Sequence, residues 1–246
     1  MLVDTHCHLF NEDYLNLKDL ILEMNELNIK CIVNGTDRIT NEEALDLSKN
    51  HQNIFAAIGY HPSSVDSIKE DYINFLEENI SSCVAIGEIG LDYYWTKDNI
   101  EKQKELFENQ LKLAEKYNKP VIVHTREAIN DTYNILKKYN VRGVIHAFSG
   151  SLEMAKKFID LGYKLGIGGV ITFKNCNLKN VIYNVDINDI VLETDSPYLS
   201  PVPVRGEKNT PINLKYIAKF ISDLKNISYD EVCNVTTNTA ISLFDL

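Results

Sequence analysis

The chain is predicted to fold as a single-domain (β/α)8 barrel of the α/β class, and three observations carry that expectation. Eight short apolar runs rich in β-branched residues recur along its 246 residues. Segments with apolar residues at three- and four-residue spacing separate them, and titratable side chains collect at the ends of the runs. Strands alternating with helices argue for a parallel sheet. Eight such repeats in about 250 residues is the size of a closed barrel, with a doubly wound open sheet as the alternative.

The first run, LVDTHCH, places His6 and His8 two apart, so in a strand both project from one face while Cys7 points to the other. The remaining runs are KCIVNGT, IFAAIGY, CVAIGEIG, PVIVHT, GVIHAF, YKLGIGG and DIVLETD. Within ELFENQLKLAEKYNKP, residues Leu106, Gln110, Leu113, Ala114 and Tyr117 form a helical stripe. Thr40 with Glu43, and Ser228 with Glu231, have the spacing of a capping box, and Gly162 stands where MAKKFIDLGY should stop. No linker, low-complexity tract or charge block divides the chain, so residues 1–246 are read as one domain.

Apolar content of 44% and charged content of 24% are ordinary for a globular protein. No apolar run approaches about 18 residues, and no basic stretch followed by an apolar core opens the chain, so a cytoplasmic protein without membrane contact is expected. Cys7, Cys31, Cys83, Cys176 and Cys233 are scattered and form no CxxC pair, which disfavours both a disulfide framework and a cysteine zinc site. The net charge of −10 disfavours a broad basic surface for nucleic acid. A local positive site stays open, because screening confines exposed charges to about 8 Å.

Of six histidines, only His51 in SKNHQN looks incidental. His61, His124 and His146 lie at or just past strand ends, which in a barrel converge on one face. Glu88 and Asp195 interrupt apolar runs there, and a buried carboxylate is costly unless paired or bound to a metal. The set His6, His8, Glu88, His124, His146 and Asp195 is too large for one catalytic ion with an open position. Two divalent ions are implied, one on His6 and His8, the other on His124 and His146, with Glu88 reaching both and Asp195 touching the first. The competing readings are a single metal site and a purely structural set of core histidines.

With the ordered motifs DTHCHL, AIGYHP, GEIGLDYYW, PVIVHTREA, HAFSG, GIGGVITF, LETDSPYLSP, RGEKNTP and TTNTAISLF, the chain resembles the TatD-family metal-dependent deoxyribonucleases of the amidohydrolase superfamily along its whole length. The resemblance implies a metal-bridged barrel with the ligands just given, Glu88 standing where other amidohydrolases use a carboxylated lysine. It further implies magnesium or manganese as cofactor, zinc being admitted by the imidazole and carboxylate ligands, and phosphodiester cleavage in DNA, of exonuclease or repair type. Two departures are Ala147, where a cysteine is frequent, and Glu207, where a basic residue is common. Paired ions lower the pKa of a shared water toward about 7 and so supply hydroxide, and Asp195 is the expected proton acceptor. His61, Arg126 and Arg205 are the expected substrate contacts, and Tyr60, Tyr93, Tyr94 and Trp95 could stack bases. The acidic exterior favours single-stranded DNA or strand ends as partner; no obligate protein partner is indicated. The same chemistry could serve a small amide or ester, or D-aminoacyl-tRNA, and a non-enzymatic metal-dependent interaction module would need no proton acceptor at Asp195.

Overall fold

Runs such as Ile29–Asn34 and Val121–Arg126 carry Val and Ile on both faces, the pattern of strands buried on both sides of a parallel sheet. The computed structural model describes residues 1–246. Its strands and helices are β1 (Leu2–Cys7), α1 (Leu17–Glu26), β2 (Ile29–Asn34), α2 (Arg38–Asn50), β3 (Ile54–Ile58), α3 (Tyr72–Glu78), β4 (Ala85–Asp92), α4 (Ile100–Tyr117), β5 (Val121–Arg126), α5 (Ile129–Leu136), β6 (Gly143–Ile145), α6 (Leu152–Asp160), β7 (Tyr163–Ile167), α7 (Leu178–Asn184), β8 (Ile190–Leu192), α8 (Leu214–Lys225) and α9 (Tyr229–Phe244). All neighbouring strands pair in parallel and in chain order. A bridge between Cys7 and Ser196, with Asp195 N–H donating to His6 O (2.9 Å), joins the last strand to the first. The sheet is therefore a closed (β/α)8 barrel, not an open one. No helix is long and apolar enough to cross a membrane.

Two apolar layers hold it. Between strands and helices lies the larger core, including Cys31, Val33, Ile86, Ile89, Leu111 and Phe158. Inside the barrel, Val3, Ile32, Ala57, Ala85, Ile122, Val144 and Val191 pack against Ala240, Leu243 and Phe244, so α9 closes the N-terminal end. The opposite, C-terminal end is left for polar residues.

Helix boundaries refine the expectations. Ser228 caps α9, its hydroxyl accepting from Glu231 N–H, and Gly162 follows α6 with φ +89°. The Thr40–Glu43 box is corrected: α2 starts at Arg38, where Asp37 accepts from Thr40 N–H and Thr40 Oγ1 accepts from Asp37 N–H. Asp37 offers its carboxylate one turn earlier than Thr40 could, and so wins the cap. On α4, Leu106, Gln110, Leu113 and Ala114 are buried as the stripe predicts, but Tyr117 is exposed and donates its hydroxyl to Glu77.

Candidate metal centre

Two β-bulges decide which side chains reach the barrel's upper interior. In β1, Asp4 pairs with Cys31 and Cys7 with Val33, so three steps on β1 match two on β2. Strict alternation from Val3 would turn His6 and His8 toward the helices. The extra residue resets the phase, and both imidazoles point inward while Cys7 points out. The same device operates in β4, where Ile86 pairs with Val121 and Ile89 with Val123, and Glu88 lies in the inserted step. Gly90 next to it has φ +146°, and its backbone approaches His124 so closely that a side chain there would clash.

The donor atoms converge. His6 Nε2 lies 3.1 Å from His8 Nε2, and Asp195 Oδ1 is 3.6 Å from each. Glu88 Oε2 is 3.5 Å from His6 Nε2 and 3.8 Å from His8 Nε2, while its Oε1 is 3.0 Å from His124 Nδ1, 3.7 Å from His61 Nε2 and 3.9 Å from His146 Nε2. The rings of His6 and His146 stack at 3.5 Å. All six predicted ligands thus meet around Glu88, joined by His61. Three sets of donors are compact enough for one ion each: His6, His8 and Asp195; His6, Glu88 and His146; His61, Asp92 and His124. Tetrahedral metal bonds of about 2.0–2.2 Å place neighbouring donors about 3.4 Å apart, close to the spacings seen here. Two imidazole nitrogens facing each other can share only one proton, and a cation satisfies both lone pairs. The residues fit divalent metal.

Further groups hold these rings from behind, and sequence reasoning assigned none of them. His8 Nδ1 is 2.9 Å from Asn34 O, which leaves Nε2 for the centre. Asp92 Oδ2 is 3.1 Å from His124 Nε2, leaving Nδ1 toward Glu88. Glu193 Oε1 lies 3.1 Å from His146 Nδ1, and the same oxygen accepts Ala147 N–H at 2.7 Å. Asp4, fully buried, accepts from Thr194 N–H and Oγ1–H and from His6 N–H, fixing the seam beside Asp195. Helix amides grip the loops that follow β3 and β4: Asn41 bonds both backbone groups of Gly59, Gln110 both of Tyr60, and Gln103 both of Asp92. Their signal in the sequence is an amide interrupting an apolar helical face.

Electrostatics matches this packing. Burial opposes ionisation of Glu88, but the imidazoles of His6, His61, His124 and His146 prevail and hold its carboxyl well below the usual range. Burial, with His146 adding, drives the His6 imidazole well below its ordinary value, and burial lowers His61 to about 4. Burial works against charge on His146 too, yet Glu193 and Asp195 raise it to about 10. Metal binding requires the neutral imidazole and so works against that upward shift.

The other predicted residues fall in different places. Arg126, exposed on β5, lies over the Tyr94 ring at 3.7 Å and near Trp95 at 5.5 Å. Arg205 lies over Phe173 at 4.3 Å and forms no ion pair with Glu207. Neither bonds to the six central residues. Tyr60 and Tyr93 are corrected as stacking groups: Tyr60 is buried against Tyr72, and Tyr93 is buried with its hydroxyl donating to Asp131. Both turn toward the helices, leaving Tyr94 and Trp95 exposed. Cys7 is fully buried in the helix-side core, its thiol donating weakly to Ile32 O at 3.4 Å. Cys7→Ala is therefore expected to keep full metal content by elemental analysis and most activity, at a cost of about 1 kcal/mol in thermal or urea unfolding. Stoichiometric metal loss would instead place the thiolate among the ligands.

A closed barrel with imidazoles and carboxylates converging at its C-terminal end has the make-up of a metal-dependent hydrolase. The chain belongs to the TatD family, since the family model described as TatD related DNase matches residues 3–245. It is 38% identical over 252 residues, covering 99% of each chain, to the uncharacterized metal-dependent hydrolase YabD of Bacillus subtilis. It is 35% identical over 256 residues, covering all of this chain and 96% of the other, to the uncharacterized metal-dependent hydrolase YcfH of Escherichia coli. The crystal structure of YjjV, a TatD homolog from Escherichia coli, superposes with a TM-score of 0.92 at 31% identity, covering 100% of this chain and 98% of that one.

Proposed function

We propose that this hydrolase cleaves phosphodiester bonds in DNA, acting on single strands or strand ends, with two divalent ions held by His6, His8, Glu88, His124, His146 and Asp195. The observation that carries the reading is the pair of guanidinium groups, Arg126 and Arg205, that rest on aromatic rings without a carboxylate partner in a chain with 35 acidic residues. Cations left unpaired in an acidic protein, on loops and strand ends at the C-terminal mouth of a barrel, suit an anionic substrate.

Bound divalent ions supply Lewis acidity and bring the pKa of a water toward about 7. The chain's own residues do the rest. Asp195 Oδ1, 3.6 Å from His6 and His8 Nε2, is placed to accept the proton of the attacking water. His61 Nδ1 accepts from Ser63 N–H at 3.1 Å, so the neutral ring carries its proton on Nε2, beside Glu88, where it can donate to a phosphoryl oxygen.

Purified protein assayed in parallel on end-labelled DNA, D-aminoacyl-tRNA and simple esters, with magnesium, manganese or zinc, tests the reading. Cleavage of either ester class without DNA cleavage overturns it. The ester alternative has one observation in its favour: a cavity of about 360 Å3 beside Asp195, walled by Phe148, Val170, Leu178 and Leu199, which would take an apolar acyl group.

Arg205→Ala is expected to raise KM for a short single-stranded oligonucleotide about 5- to 10-fold, the loss of one charge-assisted phosphate contact, with little change in kcat. That pattern marks binding felt equally in ground and transition states. A fall in kcat instead puts the guanidinium on the reacting phosphoryl group, and no change in either parameter removes this loop from the site.

A further inference from the structure

Tyr94 and Trp95 are 50% and 72% exposed, edge to face with ring centroids 4.9 Å apart, on the loop that leaves β4. The guanidinium of Arg126 lies over Tyr94, 3.7 Å from the ring centroid, and forms no ion pair or hydrogen bond. Two large exposed rings are a hydrophobic surface that a folded protein normally covers, and the guanidinium beside them has no carboxylate partner. This arrangement keeps both features open side by side.

The cluster is tied to the metal centre by one carboxylate. Asp92 Oδ1 accepts Tyr94 N–H at 2.9 Å, while Oδ2 faces His124 Nε2 at 3.1 Å. Arg126 follows His124 by two residues on β5, on the same face and about 6.6 Å further along the strand. The cluster therefore begins one strand repeat beyond the donors that would hold the ions. A planar, electron-rich ring joined by a short link to a phosphate is the ligand whose parts match: ring on ring for Trp95, phosphate oxygen on the Arg126 edge.

Resting on the nuclease reading above, we propose that Tyr94, Trp95 and Arg126 form a subsite for one unpaired nucleobase and its own phosphate, next to the scissile position, so that Arg126 serves this neighbouring nucleotide instead of the reacting phosphoryl group. The subsite selects single-stranded or frayed DNA, because a base within a duplex has no free face. Since every base has a π-face, it discriminates little among sequences.

Trp95 is the sole tryptophan, so its fluorescence reports occupancy directly. The test titrates the full-length protein with a short phosphorothioate oligothymidylate, which resists cleavage, and with the same backbone carrying tetrahydrofuran in place of every base. Saturable quenching by the first, with at least about tenfold weaker binding of the second, is expected, since stacking of one base contributes roughly that factor or more. Trp95→Ala should lower oligothymidylate affinity, read by anisotropy of a labelled strand, about tenfold, and Trp95→Phe should restore most of it. Equal quenching by both oligomers would show that phosphate alone is bound and overturn the proposal. So would no quenching, or a concentration-dependent self-association abolished by Trp95→Ala, which would assign the rings to a second copy. DNA cleavage without base-dependent quenching sinks the subsite and leaves the nuclease reading standing; base-dependent quenching without cleavage does the reverse.

Discussion

Asp195→Asn is expected to reduce turnover by about 10³-fold or more with metal saturating, while the melting temperature stays within a few degrees of the wild type. General-base catalysis contributes about 10²- to 10⁴-fold, and the amide keeps the size of the carboxylate but loses its proton affinity. The backbone should tolerate the change. Asp195 sits at φ +55°, a left-handed conformation that Asn adopts as readily as Asp, and its N–H bond to His6 O and the Tyr198 N–H bond to its own carbonyl use no side-chain atom. What is lost is the negative charge 3.6 Å from His6 and His8 and 3.8 Å from His146. Comparing kcat and thermal melting of the two proteins decides the matter. Undiminished turnover would assign the proton to another group.

Glu88→Gln should act differently, by removing metal. Glu88 is the one carboxylate within 4 Å of His6, His8, His61, His124 and His146, with one oxygen toward each side of the centre. Gln is isosteric but neutral and offers one acceptor in place of two. Metal per chain, measured after gel filtration, is expected to fall below that of the wild type, with affinity down at least about 100-fold, beyond the range typical of groups that only orient ligands. Because an ion that binds only the folded state stabilises it in proportion to the logarithm of its concentration over Kd, chelation should lower the wild-type melting temperature and move that of Glu88→Gln much less. Equal metal content and equal chelator shifts in the two proteins would remove Glu88 from the coordination.

Much of this was legible because it rests on local pattern. Eight β-branched runs became eight strands, including β6 and β8, which keep only three residues each. That His6 and His8 share one face follows from their spacing of two. Where the reading stopped, long-range geometry was in charge. The bulges in β1 and β4 leave no mark in a hydrophobicity pattern, since Asp4 and Cys7 share a face only because one residue is inserted between the pairs. Glu193 and Asp92 stand in plain view beside Asp195 and Tyr93, but nothing in their spacing tells that they back His146 and His124. Tyr60 and Tyr93 were open to misreading for a related reason: at a strand end, whether an aromatic faces helix or solvent depends on the last step of register.

The seam between β1 and β8 joins Asp4 to Thr194 and Thr5 to Leu192, partners 190 and 187 residues apart. During synthesis His6 and His8 therefore emerge long before Asp195 can meet them, and α9 follows later still to seat Leu243 and Phe244 in the barrel floor. Closures of such sequence separation are slow and leave strand edges unpaired meanwhile. A divalent ion that needs donors from both sides of the seam finds them only after that closure, so it slows unfolding and leaves the folding rate nearly unaltered. Metal scarcity in a cell would then shorten the lifetime of finished molecules without hindering their assembly.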